Sequence, residues 1–296
     1  MKDDHIEQNS WQAWLLASRP KTLTGAAVPV MISLSLAASS EHEFRWLPAI
    51  LCLLFAFIMQ IDANFVNDYF DFMKGNDDEN RLGPKRACAM GWIHASNMRR
   101  AIGITTLVAC IIGLPLVIYG GVEMLLIGLL CVVFCFLYTT HLSYIGMGDV
   151  LVLVFFGIVP VCIPYYLITH TCTLEVIIAS IACGMVIDTL LMINNYRDIE
   201  NDERVGKRTL AVLLGKKNSR RMYLLLGFAA CLLGIIYSMY GHFWAMILPL
   251  GYLVLHVITY RRMVRIDHGR ALNNVLGDTA RNMFFYGVLV SIGILL

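Results

Sequence analysis

Two short stretches carry the residue types and spacing to hold a cation. NDYFD at residues 67–71 and NNYRD at 194–198 each place Asn first, Tyr third and Asp fifth. On a helix, Asn67 and Asp71 are i and i+4 and share a face, with Asn64 and Asp68 beside them. Asn194, Asp198 and Asp202 repeat the arrangement at i, i+4 and i+8. Two such faces opposed would form a cup of carboxylate and amide oxygens that repels itself unless a cation fills it. These are hard donors that suit Mg²⁺, with Mn²⁺ as a substitute. Mg²⁺ usually takes one or two protein carboxylates and shares its other positions with water and substrate phosphates. Lys74, Arg81, Arg86, Arg197 and Lys207 stand close by in the chain and suit the phosphate oxygens that the metal does not reach. The expected ligand is therefore a diphosphate, with Asp71, Asp198 and Asp202 as the catalytic carboxylates.

The elements that must position these residues are membrane helices. The chain has 296 residues, of which 58% are apolar and 15% charged. Runs long enough to cross a bilayer, about 20 residues each, recur near 22–39, 46–66, 101–120, 122–140, 149–169, 174–195, 222–240, 243–260 and 279–296. Backbone groups in lipid must be satisfied within their own segment, so helices are expected. The expected fold is all-α: a polytopic membrane protein of about nine transmembrane helices around a central cavity, forming one domain over residues 1–296. The motifs end the second and sixth spans, as if on two pseudo-repeats, and therefore lie on one side. Trp11, Trp14 and Leu15 suggest either a brief interfacial helix or the first turn of span one.

Charge sorts by side. With the N-terminus placed in the cytoplasm, 22 of the 23 Lys and Arg fall on the inner face and only Arg45 on the outer. This is the positive-inside pattern. It places the chain in the cytoplasmic (inner) membrane, with the motifs toward the cytoplasm and a basic face suited to anionic headgroups or an anionic substrate. The acidic, polar N-terminus is not a secretory signal. The nine cysteines form no CxxC pair and read as small buried hydrophobes. There is no GxxxxGK[ST] loop and no GxGxxG turn, and nothing points to a nucleic-acid partner.

The chemistry implied is ionisation of an allylic diphosphate, whose apolar tail lies within the bundle. Mg²⁺ and the neighbouring cations offset the charge growing on the leaving group. Aromatic faces can shield the carbocation; Tyr69, Phe70, Tyr138, Tyr144, Tyr165, Tyr166 and Tyr196 are available, most of them as ordinary packing. Two further carboxylates stand out. Asp188 in mid-span and Asp62 before the first motif are candidates for function or for hydrogen bonding between helices.

At these residues the chain resembles the UbiA-type intramembrane prenyltransferases. Asn67, Asp71 and Asp77 match the family's first motif; Asp198 and Asp202, with Asn194 a turn earlier, match its second. The position of Asp77 resembles the menaquinone branch, as do RPKTL at 19–23, RLGPKR at 81–86, NNYRDIENDERVGKRTLAVLLG at 194–215 and TARNMFFYG at 279–287. The resemblance implies decarboxylating transfer from polyprenyl diphosphate to 1,4-dihydroxy-2-naphthoate, in lipid and with Mg²⁺. It implies Asn67, Asp71, Asp77, Asn194, Asp198 and Asp202 as the metal-side residues, and the matched RPKTL places Arg19 and Lys21 toward a substrate; Asn64 and Asp68, beside the first motif on its helix, are further metal-side candidates, and Tyr138 and Asn195 further substrate-side candidates. In SYIGMGDV at 143–150, Asp149 stands where the family tends to show Glu, which leaves the acceptor's identity open. Transfer to another aromatic such as 4-hydroxybenzoate is one alternative. A divalent-cation transporter is another, although carboxylates at one face beside cationic loops suit an ion path poorly.

Overall fold

The computed structural model describes residues 6–75 and 82–296, and the described residues are helical with no strand. Ten helical segments follow in order: α1 (Trp11–Ser18), α2 (Leu23–Ser39), α3 (Trp46–Met73), α4 (Ala95–Gly120), α5 (Glu123–Thr140), α6 (Gly148–Thr169), α7 (Leu174–Arg204), α8 (Leu210–Met239), α9 (Phe243–Ile266) and α10 (Leu272–Leu295). The chain is a multi-pass membrane protein.

α1 is a separate helix. Ser10 caps it by accepting from the Ala13 N–H, and Arg19 ends it in the left-handed region at φ 49°. It buries Ala13 and Ala17 on α3, with Trp14 edge-on to Phe65, and leaves Trp11 and Leu15 exposed. The Trp11–Leu15 stripe thus faces outward, as an interfacial helix requires.

Eight segments among the described residues are long and apolar enough to cross a membrane, with α1 and α2 counted together. The ninth expected span, α10, is a 24-residue helix but falls outside that set. Its first half carries Asn273, Asn274, Asp278 and Arg281, so only its second half has full membrane character.

The two motif helices are long, at 28 residues for α3 and 31 for α7. At 1.5 Å per residue they reach about 42 and 46 Å, well beyond the roughly 30 Å hydrocarbon core. Their polar ends therefore project past the lipid tails while the same helices still cross. α7 is central: 67% of its apolar stretch is buried in the protein, against 17% for α4 and for α5, which face lipid. Val176, Ala179, Ala182, Cys183 and Val186 of α7 pack with Val28 and Ile32 of α2 and with Val290 of α10.

Small residues let α6 and α7 cross closely. A Cβ on Gly157 would stand 2.7 Å from the Ser180 carbonyl and 2.8 Å from the Gly184 Cα. At that crossing α6 widens into a π-helical turn over Leu153–Ile158. Such turns shift the facing of the side chains they carry, and here Phe155 and Phe156 line the interior cavity. All nine cysteines are free thiols.

Candidate active site at the mouth of the cavity

The bundle encloses a cavity of about 1090 Å³, walled by α2, α3, α4, α5, α6 and α7. Its deep part is apolar, with Met59, Cys52, Leu116 and Met124 reaching toward the far end. Its polar mouth carries Asn67, Asp71 and Arg86 on one side and Asn194, Asn195, Lys207 and Asn273 on the other. Both motifs therefore reach one hollow, through Asn67, Asp71 and Asn194; Asp198 and Asp202 do not line it, and Asp202 lies within electrostatic reach of both Asp198 and Asp71.

Asp71 and Asp198 are each held by an arginine. Arg86 Nη2 donates to Asp71 Oδ2 at 2.9 Å. Arg197 is fully enclosed and donates through Nε and Nη2 to the two oxygens of Asp198, at 2.8 and 2.6 Å. It donates further to Asn194 Oδ1 at 2.9 Å and Asn273 Oδ1 at 2.7 Å. Asn273 then donates to the Leu82 carbonyl at 2.7 Å. Leu82 and Arg86 share one connection, so hydrogen bonds run across the mouth from Asp198 to the segment that delivers Arg86 to Asp71. Asn67 accepts a short bond from the Thr139 hydroxyl. Asp202 is buried, with Thr209 Oγ1 at 3.5 Å.

Two residues expected in the cup are turned to other work. Asp68 is 1% exposed and does not line the cavity. Its oxygens accept the backbone N–H groups of Ala87 and Cys88, each at 2.9 Å. That caps the turn in which the Met90 N–H meets the Arg86 carbonyl and so sets the position of Arg86. Asn64 donates to the Ser18 carbonyl and to Thr22 Oγ1, both at 2.9 Å, and fastens α3 to the α1–α2 corner. The difference comes from the loop: Asp68 is about 100° round the helix from Asn67, on the side where the Ala87 and Cys88 N–H groups take both of its oxygens. Asp77 and Arg81 lie outside the described residues.

The expected phosphate-binding residues divide as well. Lys74 donates to the Thr140 carbonyl at 2.7 Å and sits 4.1 Å from the Tyr144 ring centroid. Lys207 approaches the same ring at 5.8 Å. Partial desolvation in this seat holds the Lys74 ammonium below the usual lysine range, with Asp71 opposing and Lys207 reinforcing the shift. Lys207, Arg86, Arg19 and Lys21 all line the cavity. Arg197 does not; its donors are committed to Asp198, Asn194 and Asn273, so it positions the second motif instead of gripping phosphate.

Tyr138 lines the cavity beside Phe134 and Phe155, whose rings are 5.1 Å apart. Tyr196, one of the aromatics available as a shield, is buried away from it and hydrogen-bonds Asp267 and Arg220. Asn273, Thr139, Phe134, Phe155 and Phe156 were not singled out in the sequence. The Asn273–Asn274 pair opening the last span was the one available signal.

A helical bundle with paired Asn/Asp faces and cations at the mouth of an apolar hollow is built for a phosphorylated apolar substrate, and it defines the class of intramembrane prenyl-transferring enzymes. The UbiA prenyltransferase family model matches residues 26–288, and the chain belongs to that family. It is similar to 1,4-dihydroxy-2-naphthoate octaprenyltransferase of Escherichia coli, 37% identical with 96% of each chain covered. It is also similar to the Mycobacterium leprae protein of the same name, 30% identical over 95% of this chain and 96% of that one. Among solved structures, an apo UbiA homologue from Aeropyrum pernix matches with a TM-score of 0.69 at 14% identity, covering 91% of this chain and 96% of that one. A UbiA homologue from Archaeoglobus fulgidus bound to GPP and Mg²⁺ matches at 0.65 and 11%, covering 94% and 99%.

Proposed function

We propose that the protein transfers a polyprenyl group from polyprenyl diphosphate to 1,4-dihydroxy-2-naphthoate, with loss of the ring carboxylate, giving the reduced (hydroquinone) form of demethylmenaquinone. The observation that carries this is the meeting of both motifs at the mouth of one apolar cavity. The names of the relatives supply the acceptor.

The donor set fits Mg²⁺. Among the described residues no three carboxylate, histidine or cysteine side chains form a closed cage. Asn67 with Asp71, and Asn194 with Asp198, would instead offer one carboxylate and one amide on each side. That suits an ion completing its shell with water and phosphate oxygens. Asp202, and Asp77 by its motif position, would support the same ions; Mn²⁺ suits the same oxygens. Bound there, the ion acts as a Lewis acid toward the departing diphosphate.

The chain's own residues do the rest. Lys74 and Lys207 place two cations by one aromatic ring at the mouth, and Arg19 and Lys21 add charge from the α1–α2 corner. The apolar cavity keeps water from the reactive carbon, while Tyr138, Phe134 and Phe155 offer ring faces toward it. The basic mouth faces the cytoplasm of a bacterial-type inner membrane under the positive-inside rule. Purified protein in lipid vesicles, given Mg²⁺, geranyl diphosphate and either acceptor, tests the reading by product mass. Prenylated, decarboxylated naphthoate is expected. Transfer to 4-hydroxybenzoate with none to the naphthoate overturns the acceptor.

A further inference from the structure

Beside the mouth, the cavity opens into a polar recess lined by Tyr138, Ser143, Asp149, Asn195, Lys207 and Thr209. Tyr138, Ser143, Asn195 and Lys207 line both spaces, so the two are continuous. The recess measures about 10 Å³. That is roughly the room for one water, and so for one hydroxyl of a ring lying in the main cavity.

One wall of the recess is the Asp149 carboxyl, with the Asp188 carboxyl behind it. Asp149, at the start of α6, has both side-chain oxygens buried, and Asp188, 5% exposed in mid-α7, has Oδ1 buried. Among the described residues, no side chain of another element donates to these three oxygens. The two carboxyls lie beside each other, close enough to interact directly. An ionised carboxylate only accepts, so a hydrogen bond between the two would need a proton on one of the pair. Asp62 shows the contrasting structural solution: it is equally buried in α3, and the Thr105 and Thr106 hydroxyls donate to both of its oxygens. Packing alone does not account for the Asp149–Asp188 pair, because intramembrane carboxylates without donors are costly.

We propose that the Asp149–Asp188 pair is the proton acceptor for a hydroxyl of the aromatic substrate, with Asp149 touching that hydroxyl in the recess and Asp188 positioning Asp149. This rests on the reading of the acceptor as a hydroxylated ring. The hydroxyl O–H bond breaks and its proton passes to the ionised member of the pair. The electron pair left on oxygen drives the ring carbon onto the allylic carbon. The C–O bond to diphosphate breaks, and its electron pair leaves with the diphosphate. Loss of carbon dioxide from the ring carboxylate returns an electron pair to the ring. The proton then returns from the carboxyl pair to the ring oxygen, so the pair ends as it began. The groups facing Asp149 are Tyr138 from α5, Asp188 from α7 and Lys207 from the α7–α8 connection, and Lys207 offers a cation to the transient naphtholate.

The test uses the full chain in vesicles with Mg²⁺ and geranyl diphosphate, and compares the naphthoate with its two mono-methyl ethers. General-base catalysis contributes about 10²–10⁴-fold, so in the wild type one ether should lose about 100-fold or more in kcat. Asp149→Asn should lose a similar factor on the naphthoate, leave the KM for geranyl diphosphate within about twofold, and no longer distinguish that ether from the naphthoate. Asp188→Asn should lose about tenfold or more in kcat, with part restored in Asp188→Glu. Wild-type kcat in Asp149→Asn overturns the proposal, as does an unchanged preference for the naphthoate over both ethers. If Asp149→Asn does not accumulate in membranes, Asp188→Asn carries the same comparison. If the wild type prenylates 4-hydroxybenzoate and not the naphthoate, the naphthoate reading fails, and 4-methoxybenzoate replaces the ethers in testing the pair.

Discussion

Arg197 and Asp198 are consecutive in the chain, yet the arginine folds back to hold both oxygens of its neighbour at 2.8 and 2.6 Å. Across the mouth, Arg86 holds Asp71 at 2.9 Å. Each motif thus holds a carboxylate in place, with Asp71 and Asp198 still 18% and 17% exposed. Arginine cannot give up its proton in a protein, so each of these carboxylates stands beside a fixed positive charge. Asp71→Ala and Asp198→Ala should each lower turnover by about 100-fold or more, of the order seen when electrostatic stabilisation of a leaving group is lost. Product formation by mass spectrometry, with and without excess EDTA, checks this. Near-normal turnover in either variant would remove the metal role from that residue.

Asp68 sits one residue from Asn67 but spends its oxygens on the Ala87 and Cys88 N–H groups. Hydrogen bonds to a charged group contribute about 1.5–3 kcal/mol. Asp68→Ala should therefore lower stability by about 2 kcal/mol and displace Arg86, while the Mg²⁺ concentration giving half-maximal activity stays near wild type. Thermal unfolding in detergent and a Mg²⁺ titration separate the two roles. A large loss of Mg²⁺ affinity with unchanged stability would return Asp68 to the metal set.

Arg197 ties together Asp198, Asn194 and Asn273. Removing one partner of a buried pair leaves an uncompensated charge, at a cost of about 3–5 kcal/mol. Arg197→Met should destabilise the free protein by that order. Mg²⁺ with geranyl diphosphate should recover part of the loss, because the ion takes over the stranded carboxylate and binding to the native state stabilises it. Melting curves with and without both ligands read this directly. Equal destabilisation in both conditions would place Asp198 away from the ion.

The helices and the mouth were legible in the sequence because they rest on strong, repeated signals. Lipid demands long apolar runs and helical backbone, and charge sorts by side. The matched NDYFD and NNYRD stretches then named Asn67, Asp71, Asn194 and Asp198 together. Asp68 was misread because motif proximity does not fix which way a side chain points; the loop at Ala87 and Cys88 decided that. Arg197 looked like any other cation of the basic loops until its three partners were visible. α10 kept its helix despite Asp278 and Arg281, since packing on α2 and α7 compensates its weak apolar character. Phe155 and Phe156 owe their facing to a π-helical turn, which has no periodic signature. Asp149 and Asp188 were noticed separately, and only the fold shows that they touch.

Tyr144 is the shared seat of two cations, with Lys74 at 4.1 Å and Lys207 at 5.8 Å from its ring. The backbone locks this corner: the Arg208 N–H donates to the Tyr144 carbonyl at 3.0 Å, joining the α5–α6 and α7–α8 connections. A cation over a partly exposed ring gains about 0.5–1 kcal/mol, so losing both contacts should cost roughly 1–2 kcal/mol of preorganisation. Tyr144→Ala should raise the KM for geranyl diphosphate by about 5–30-fold, with a smaller change in kcat. Tyr144→Phe keeps the ring face and should stay within about twofold of wild type. Initial rates across a geranyl diphosphate series decide it. A Tyr144→Phe defect as large as that of Tyr144→Ala would mean that the hydroxyl, and not the ring, organises the two lysines.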